Sequence, residues 1–251
     1  MDILLKEVRK KFGEREVLRG VNLHCKSGRT TVVFGLSGGG KSTIIKLIVR
    51  LIEPTSGEIF VGGESITRAT PKRLNEMRRQ IGFLFQSGAL FDSKNVLDNV
   101  AFPLEEHTQL SRAEIRKIVC EKLELVGLRP DVVLHLFPDE LSGGMKKRVG
   151  LARSIALNPR IILYDEPTSG LDPISSDHIT QMIRHLQAEL GVTSVLISHD
   201  IKESFKAGDD MAMLLDGRII EYGEASAFAQ SERAEVHQFL EGKGEGKIAL
   251  L

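Results

Sequence analysis

The sequence predicts an α/β protein built on a mainly parallel sheet with helices on both faces. Two patterns carry that prediction. Short, wholly apolar runs alternate with stretches of helical period, the arrangement that parallel strands covered on both faces require. Between about residues 87 and 158 the strand pattern stops, and a helical insertion divides the strands into two sets.

Taken in order, Ile3, Leu5 and Glu7, then Val17, Val21 and Leu23, sit among alternating partners and read as strands, with turn residues at Gly13 and Gly28. Thr31-Val32-Val33-Phe34 is a short strand of buried type that runs into a glycine-rich loop. Residues 41–52, KSTIIKLIVRLI, have helical period and are expected to stop before Pro54. A strand follows at 57–61, and Thr70-Pro71 starts a short helix, the proline standing where its missing N–H costs nothing. Ser111-Arg112-Ala113-Glu114 is a capping box; Ile115, Val119, Leu123 and Val126 continue an apolar stripe, and Gly127 is placed to end the helix. Residues 161–164 form a buried strand, Asp172-Pro173 opens a helix, and 193–198 form a further strand. The final GKGEGKIALL, residues 242–251, is expected to be loosely ordered or a partner contact.

Composition narrows the function classes. Lys plus Arg and Asp plus Glu number 34 each, so the net charge is zero, which argues against a dedicated nucleic-acid binder. The 41% hydrophobic and 27% charged content is that of an ordinary folded domain. No apolar run approaches the roughly 18 residues that a membrane-crossing helix needs, and the first residues lack the apolar stretch of a secretory signal. Cys25 and Cys120 are isolated, with neither metal-type spacing nor a disulfide framework, and read as ordinary thiols of a reducing cytosol.

Three motifs carry chemistry. Gly35-Leu36-Ser37-Gly38-Gly39-Gly40-Lys41-Ser42-Thr43 fits G-x-x-x-x-G-K-[ST] and lies between a strand and a helix, the context that identifies a phosphate-binding P-loop. Its glycines let successive N–H groups point at phosphate oxygens, and the helix adds its positive end. Lys41 is expected to bridge the β- and γ-phosphates and Ser42 to ligate Mg²⁺. The second motif, Ile161 to Glu166, is an apolar strand delivering two carboxylates: Asp165 to hold the Mg²⁺ through water, Glu166 to polarise an attacking water as general base. The third, Leu141-Ser142-Gly143-Gly144-Met145, precedes a helical segment, KKRVGLARSIAL.

With Gln86, the Ser169-Gly170-Leu171-Asp172 loop and His199 after a strand, the set and its order resemble the nucleotide-binding subunit of an ABC ATPase, from about residue 2 to 240. The resemblance implies a P-loop NTPase of the ABC type, with an N-terminal antiparallel β-subdomain beside the parallel core. It divides the chain into an ATP-binding core (1–86 and 159–240), a helical subdomain bearing the signature motif (87–158) and a tail (241–251). It implies ATP and Mg²⁺ as cofactors. Phe12 falls where the family stacks an aromatic, more often tyrosine, on adenine. Gln86 would sense the γ-phosphate and contact the metal. Ser142, Gly143 and Gly144 would bind the γ-phosphate of ATP held by the opposite subunit of a homodimer. Asp172 would lie at the dimer seam, and His199 would contact the γ-phosphate and align the water. The other histidines, 24, 107, 135, 178, 185 and 237, carry no such context and read as structural.

Met145 departs from the family's usual glutamine at the end of the signature motif. That ending, with residues 84–91 (LFQSGALF) and 98–104 (DNVAFPL), resembles the ATPases of Mla/MCE-type phospholipid transporters. It implies ATP-driven dimerisation that powers phospholipid transport between inner and outer membrane. It further implies an integral membrane permease as partner, an MCE-domain lipid-binding protein in the complex, and a peripheral location on the cytoplasmic face of the inner membrane. Two alternatives stay open on the sequence: an ABC importer ATPase for another small solute, or a soluble ABC ATPase in a cytosolic assembly pathway.

Overall fold

A computed structural model of the chain describes residues 1–243 and 245–248. It groups into two compact units, Asp2–Arg68 with the chain from Val195 onward, and Ala69–Ser194 with Met1.

The first unit opens with strands β1 (Ile3–Phe12), β2 (Arg15–Cys25) and β3 (Thr30–Phe34), then helix α1 (Lys41–Ile48) and strands β4 (Ser56–Val61) and β5 (Glu64–Ser65). An antiparallel sheet runs in the order β2-β1-β4-β5. Its inward face holds Ile3, Leu5, Leu18, Val21, Leu23 and Ile59 fully or nearly fully buried. The alternation expected through Glu7 breaks there. Glu7 takes a left-handed φ of 49°, the register with β2 shifts between Leu5 and Val8, and Val8 becomes the buried residue instead. This is a β-bulge, which period-2 reading passes over because it adds one residue to a strand without altering composition.

Helix α1 also departs from expectation. It ends at Ile48, well short of Pro54, in a Schellman motif: Arg50 N–H donates to Leu47 O and Leu51 N–H to Lys46 O, both at 2.9 Å. Arg50 supplies the left-handed residue, with φ 50°, where glycine is usual, so no glycine marks the stop.

The second unit begins with α2 (Pro71–Arg78), capped by the Thr70 side chain, and β6 (Ile81–Leu84). The expected helical stretch follows: α3 (Val96–His107), α4 (Arg112–Leu125), the single turn α5 (Pro130–Val133) and α6 (Gly143–Ser154). The capping box of Ser111 and Glu114 forms, and Gly127, at φ 66°, ends α4. β7 (Ile161–Asp165), wholly buried, pairs parallel with β6 from Ile81 opposite Ile161 to Leu84 opposite Tyr164. Helix α6 lies hard against β6. A Cβ on Gly82 would stand 2.4 Å from the Ser154 carbonyl oxygen. Helix α7 (Pro173–Leu190) follows, and β8 (Thr193–Ile197) carries the chain out of this unit.

Back in the first unit, α8 (Ile201–Ala207), β9 (Asp210–Leu215), β10 (Arg218–Glu224), α9 (Ala225–Phe228) and α10 (Ala234–Glu241) complete the chain. β3 pairs parallel with β9, and β10 antiparallel with β9. Phe34 packs edge-on against Phe228 and stacks on Phe239, with ring centres 5.1 and 5.4 Å apart. Fully buried Asp210 is held by Arg29 through Nε and Nη2 at 2.7 and 2.9 Å, the bidentate geometry that a buried carboxylate needs. Part of the tail is anchored on α10. Ile248 is buried and exchanges two hydrogen bonds with the Gln238 side chain, N–H to Oε1 at 2.7 Å and Nε2 to the carbonyl at 3.2 Å. The expectation of looseness therefore does not extend to Ile248; residues 244 and 249–251 lie outside the described residues.

Candidate functional site

In the first unit the P-loop leaves the buried end of β3 and enters α1. Gly35, Gly38 and Gly40 take φ of 149°, 71° and 100°, so successive peptides turn in a way side chains would resist. At Gly35 space forbids one as well: a Cβ would meet the Leu214 carbonyl oxygen at 2.1 Å. Lys41 is buried, and its Nζ donates to the carbonyl oxygens of Gly35 and Leu36, both at 2.9 Å, so the loop winds around its own lysine. Ser42 and Thr43 follow in the first turn of α1, half-buried. Gly40 is the N-cap of α1 and no side chain caps this end, nor is there an acidic residue in its first turn. That end suits an anion, being positive by the helix dipole and approached by backbone alone. The edge from Leu36 to Gly39, exposed at Ser37 and Gly38, completes the loop, Gly39 N–H donating to Leu36 O at 3.2 Å.

Two further sequence-derived residues sit in this unit. Phe12, at the end of β1 before the Gly13 turn, is 48% exposed, with Lys10 Nζ 4.8 Å from its ring centre. An exposed ring on a paired strand can offer a stacking face. His199 is exposed between β8 and α8, next to Asp200, whose side chain caps α8 through Glu203 N–H at 3.0 Å.

In the second unit the carboxylates end β7. Asp165 is buried; Glu166 is half-buried with φ 47°, a conformation that turns its side chain out of the strand's alternation. Gln86, just after β6, donates from Nε2 to Glu166 Oε2 at 3.1 Å and to Ser169 Oγ at 3.2 Å. The parallel pairing of β6 with β7 puts the two strand ends together, so residues distant in sequence meet by register. Asp172 caps α7, its Oδ1 accepting from Ile174 and Ser175 N–H, both at 3.0 Å, and its Oδ2 accepting from the Ser175 hydroxyl at 2.6 Å. These donors, the hydroxyl foremost, hold its carboxyl below the usual range. Ser142 is exposed and caps α6 by accepting from Met145 N–H at 3.3 Å; Gly143 is exposed beside it and Gly144 half-buried.

Sequence reasoning passed over one residue here. Lys147 on α6 is only 5% exposed, and its Nζ donates to the Gln86 carbonyl and, at 3.3 Å, to the Glu166 carbonyl. Burial pulls its pKa down, and the neighbouring Glu166 and Asp165 oppose that shift. The available signal was helical period: Lys147 stands four residues after Gly143, on the same face of α6.

The groups expected to meet a cation all offer oxygen, the hard ligand Mg²⁺ selects: the Ser42 hydroxyl in the first unit, and the Gln86 amide and the Asp165 carboxylate in the second.

Comparison with known proteins bears on the chain as a whole. Residues 18–169 match the family model described as ABC transporter. The chain is 43% identical over 98% of its length to the intermembrane phospholipid transport system ATP-binding protein MlaF of Haemophilus influenzae, covering 92% of that protein. It is 43% identical over 94% of its length to MlaF of Escherichia coli, covering 87% of that protein. It is 41% identical to a probable ribonucleotide transport ATP-binding protein of Mycobacterium leprae, over 99% of this chain and 71% of that one. Among solved structures, an ATP-binding cassette in a dimeric, post-hydrolysis state with ADP and Pi superposes with a TM-score of 0.81 and 36% identity, over 89% of this chain and 98% of that chain.

Proposed function

We propose that this chain, which belongs to the ABC transporter family and binds and hydrolyses ATP, powers the movement of phospholipid between two membranes. The observation that carries the cargo assignment is the near end-to-end match to proteins named for intermembrane phospholipid transport, covering 92% of one of them. The Met145 ending of the signature motif supports the same assignment.

The chemistry follows from the chain's own groups. The backbone N–H groups of residues 35–43 and the positive end of α1 bind the phosphates, with Lys41 compensating their charge. Mg²⁺, held by Ser42, Gln86 and Asp165, would neutralise charge on the phosphate oxygens. Phe12 stacks on the adenine. Glu166 accepts the proton of the attacking water, His199 contacts the γ-phosphate and aligns that water, and Gln86 senses the γ-phosphate. Residues 142–144 of a second copy close over the nucleotide with backbone donors, and Asp172 lies at that seam. ATP thus favours the closed homodimer, and cleavage of the γ-phosphate releases it, a ligand-driven two-state switch.

No helix among the described residues is long and apolar enough to cross a membrane, so the work is delivered through a partner: an integral permease, contacted around residues 87–104 at the cytoplasmic face of the inner membrane, with an MCE-domain protein in the complex. The match to a protein named for ribonucleotide transport favours a second reading, with a different cargo, although this chain spans less of that relative, 71%. One experiment separates them. The complex is purified from native membranes in mild detergent, its subunits identified and its bound small molecules analysed by mass spectrometry. A permease, an MCE-domain protein and retained phospholipid are expected. A permease complex that retains no lipid but a ribonucleotide other than ATP or ADP would support the second reading, and soluble partners alone would overturn both.

A further inference from the structure

We infer that Lys147 is a positioning residue for hydrolysis: it ties the helix that begins at the signature glycines to the backbone of Gln86 and Glu166. This rests on the function proposed above and adds a route by which phosphate contact at one end of α6 reaches the general base.

Helix α6 carries four residues on one face at helical spacing, Gly143, Lys147, Gly150 and Arg153. Each of the last three meets the segment that holds Gln86 or the end of β7. Lys147 Nζ donates to the carbonyls of Gln86 and Glu166. Gly150 lies so close to the next turn of that segment that a Cβ would stand 3.0 Å from the Gly88 carbonyl oxygen. Arg153 Nη2 donates to the carbonyls of Gly88 and Ala89, both at 2.9 Å. The loop therefore has three attachments to one rigid helix, and Glu166 shares one of them.

Lys147 is the member that joins both functional residues. Its two acceptors are main-chain carbonyls, so it sets where the peptides of Gln86 and Glu166 lie rather than where their side chains point. Those side chains already touch each other, Gln86 Nε2 to Glu166 Oε2 at 3.1 Å. Glu166 sits at φ 47°, a conformation a non-glycine residue holds only when its surroundings impose it, and a buried ammonium on its carbonyl is such an imposition. A displacement of α6 by phosphate at Gly143 and Gly144 would carry Lys147, and with it both peptides. A neutral, apolar side chain of the same length would fill the space and leave both carbonyls without this donor.

The test compares Lys147→Met, Lys147→Arg, Glu166→Gln and the double variant Lys147→Met/Glu166→Gln in the full chain. Thermal melting, affinity for a fluorescent ATP analogue and ATP turnover are measured for each. Lys147→Met is expected to bind nucleotide within about twofold of the parent while its turnover falls about ten- to a hundredfold, the size of a small misplacement of a reacting group. Lys147→Arg, which keeps donors, is expected to recover part of that loss. In the double variant the loss should fall well short of the two single losses combined, because Lys147 acts in part through Glu166. Parental turnover in Lys147→Met overturns the inference. So does additive loss in the double variant, or a fall in melting temperature and affinity that matches the fall in turnover. Unchanged turnover in Glu166→Gln alone would instead overturn the role given to the general base.

Discussion

Two helices of this molecule begin at glycines to which the proposed function gives a role, and the chain constrains the two sets differently. At α1 the protein's own fold demands glycine: Gly35 has φ 149° and no room for a Cβ beside Leu214, and Gly40 has φ 100° with Val17 Cγ1 2.8 Å from where a Cβ would be. At α6 it does not. A Cβ on Gly143 would touch Leu171 at 3.5 Å and one on Gly144 would touch Ser175 at 3.7 Å, ordinary van der Waals contacts, and neither residue has a positive φ. The first loop is glycine-rich because its backbone must turn tightly against other backbone. Among the described residues nothing crowds a side chain at the start of α6, which is what the function proposed above expects of a surface that a phosphate and a second copy would meet.

The largest effect that would break this comparison is at Gly35. Gly35→Ala puts a methyl group into a backbone carbonyl, which must move with β9, and an expected loss above about 4 kcal/mol places it among exceptionally damaging substitutions. Thermal melting of the purified protein reads it. A melting temperature within a few degrees of the parent would mean the loop is pliable and the contrast with α6 unfounded.

Second in size is Gly144→Ala. Alanine is the better helix former, so the folded chain should be as stable as the parent or slightly more so, by at most about 1 kcal/mol. Turnover should nevertheless fall about a hundredfold, because the methyl group holds the incoming phosphate off the backbone donors. Stability and activity then move apart at α6, whereas at Gly35 they fall together. A variant that melts early and turns over slowly would show that glycine at 144 serves the fold after all.

The same contrast explains what the sequence made legible. The P-loop, the β7 carboxylates, the capping box at Ser111 and the Asp172 cap are local devices, each a fixed chemistry at fixed spacing, and all lie where their residues indicated. Features that no residue type marks, or that depend on a neighbour far along the chain, did not show. Arg50 ends α1 where no residue type announces an end, and the bulge at Glu7 shifts the buried set by one residue. Lys147 stands in a run of three cations, Lys146 to Arg148, where helical period puts it on the face of Gly143 but composition does not mark it as buried. The packing of α6 against β6 and the end of β7 is what buries this one and not its neighbours.

The smallest effect sharpens the comparison at a third helix start. α7 is closed by Asp172, whose carboxylate accepts the N–H groups of Ile174 and Ser175 and the Ser175 hydroxyl, so this end is satisfied within the chain while α1 has no side-chain cap. Those donors lower the Asp172 pKa below its ordinary 3.8. A carboxyl lowered on folding stabilises the native state above its unfolded pKa, and that contribution is lost as pH falls through the folded value. Asp172→Ala should therefore melt slightly below the parent near neutral pH, and the difference should close as pH drops below the ordinary carboxylate value. A gap that stays constant to low pH would mean the carboxylate charge contributes nothing to holding α7. The start of α7 would then owe its order to Pro173 and to packing, and its likeness to a charged cap would be one of geometry only.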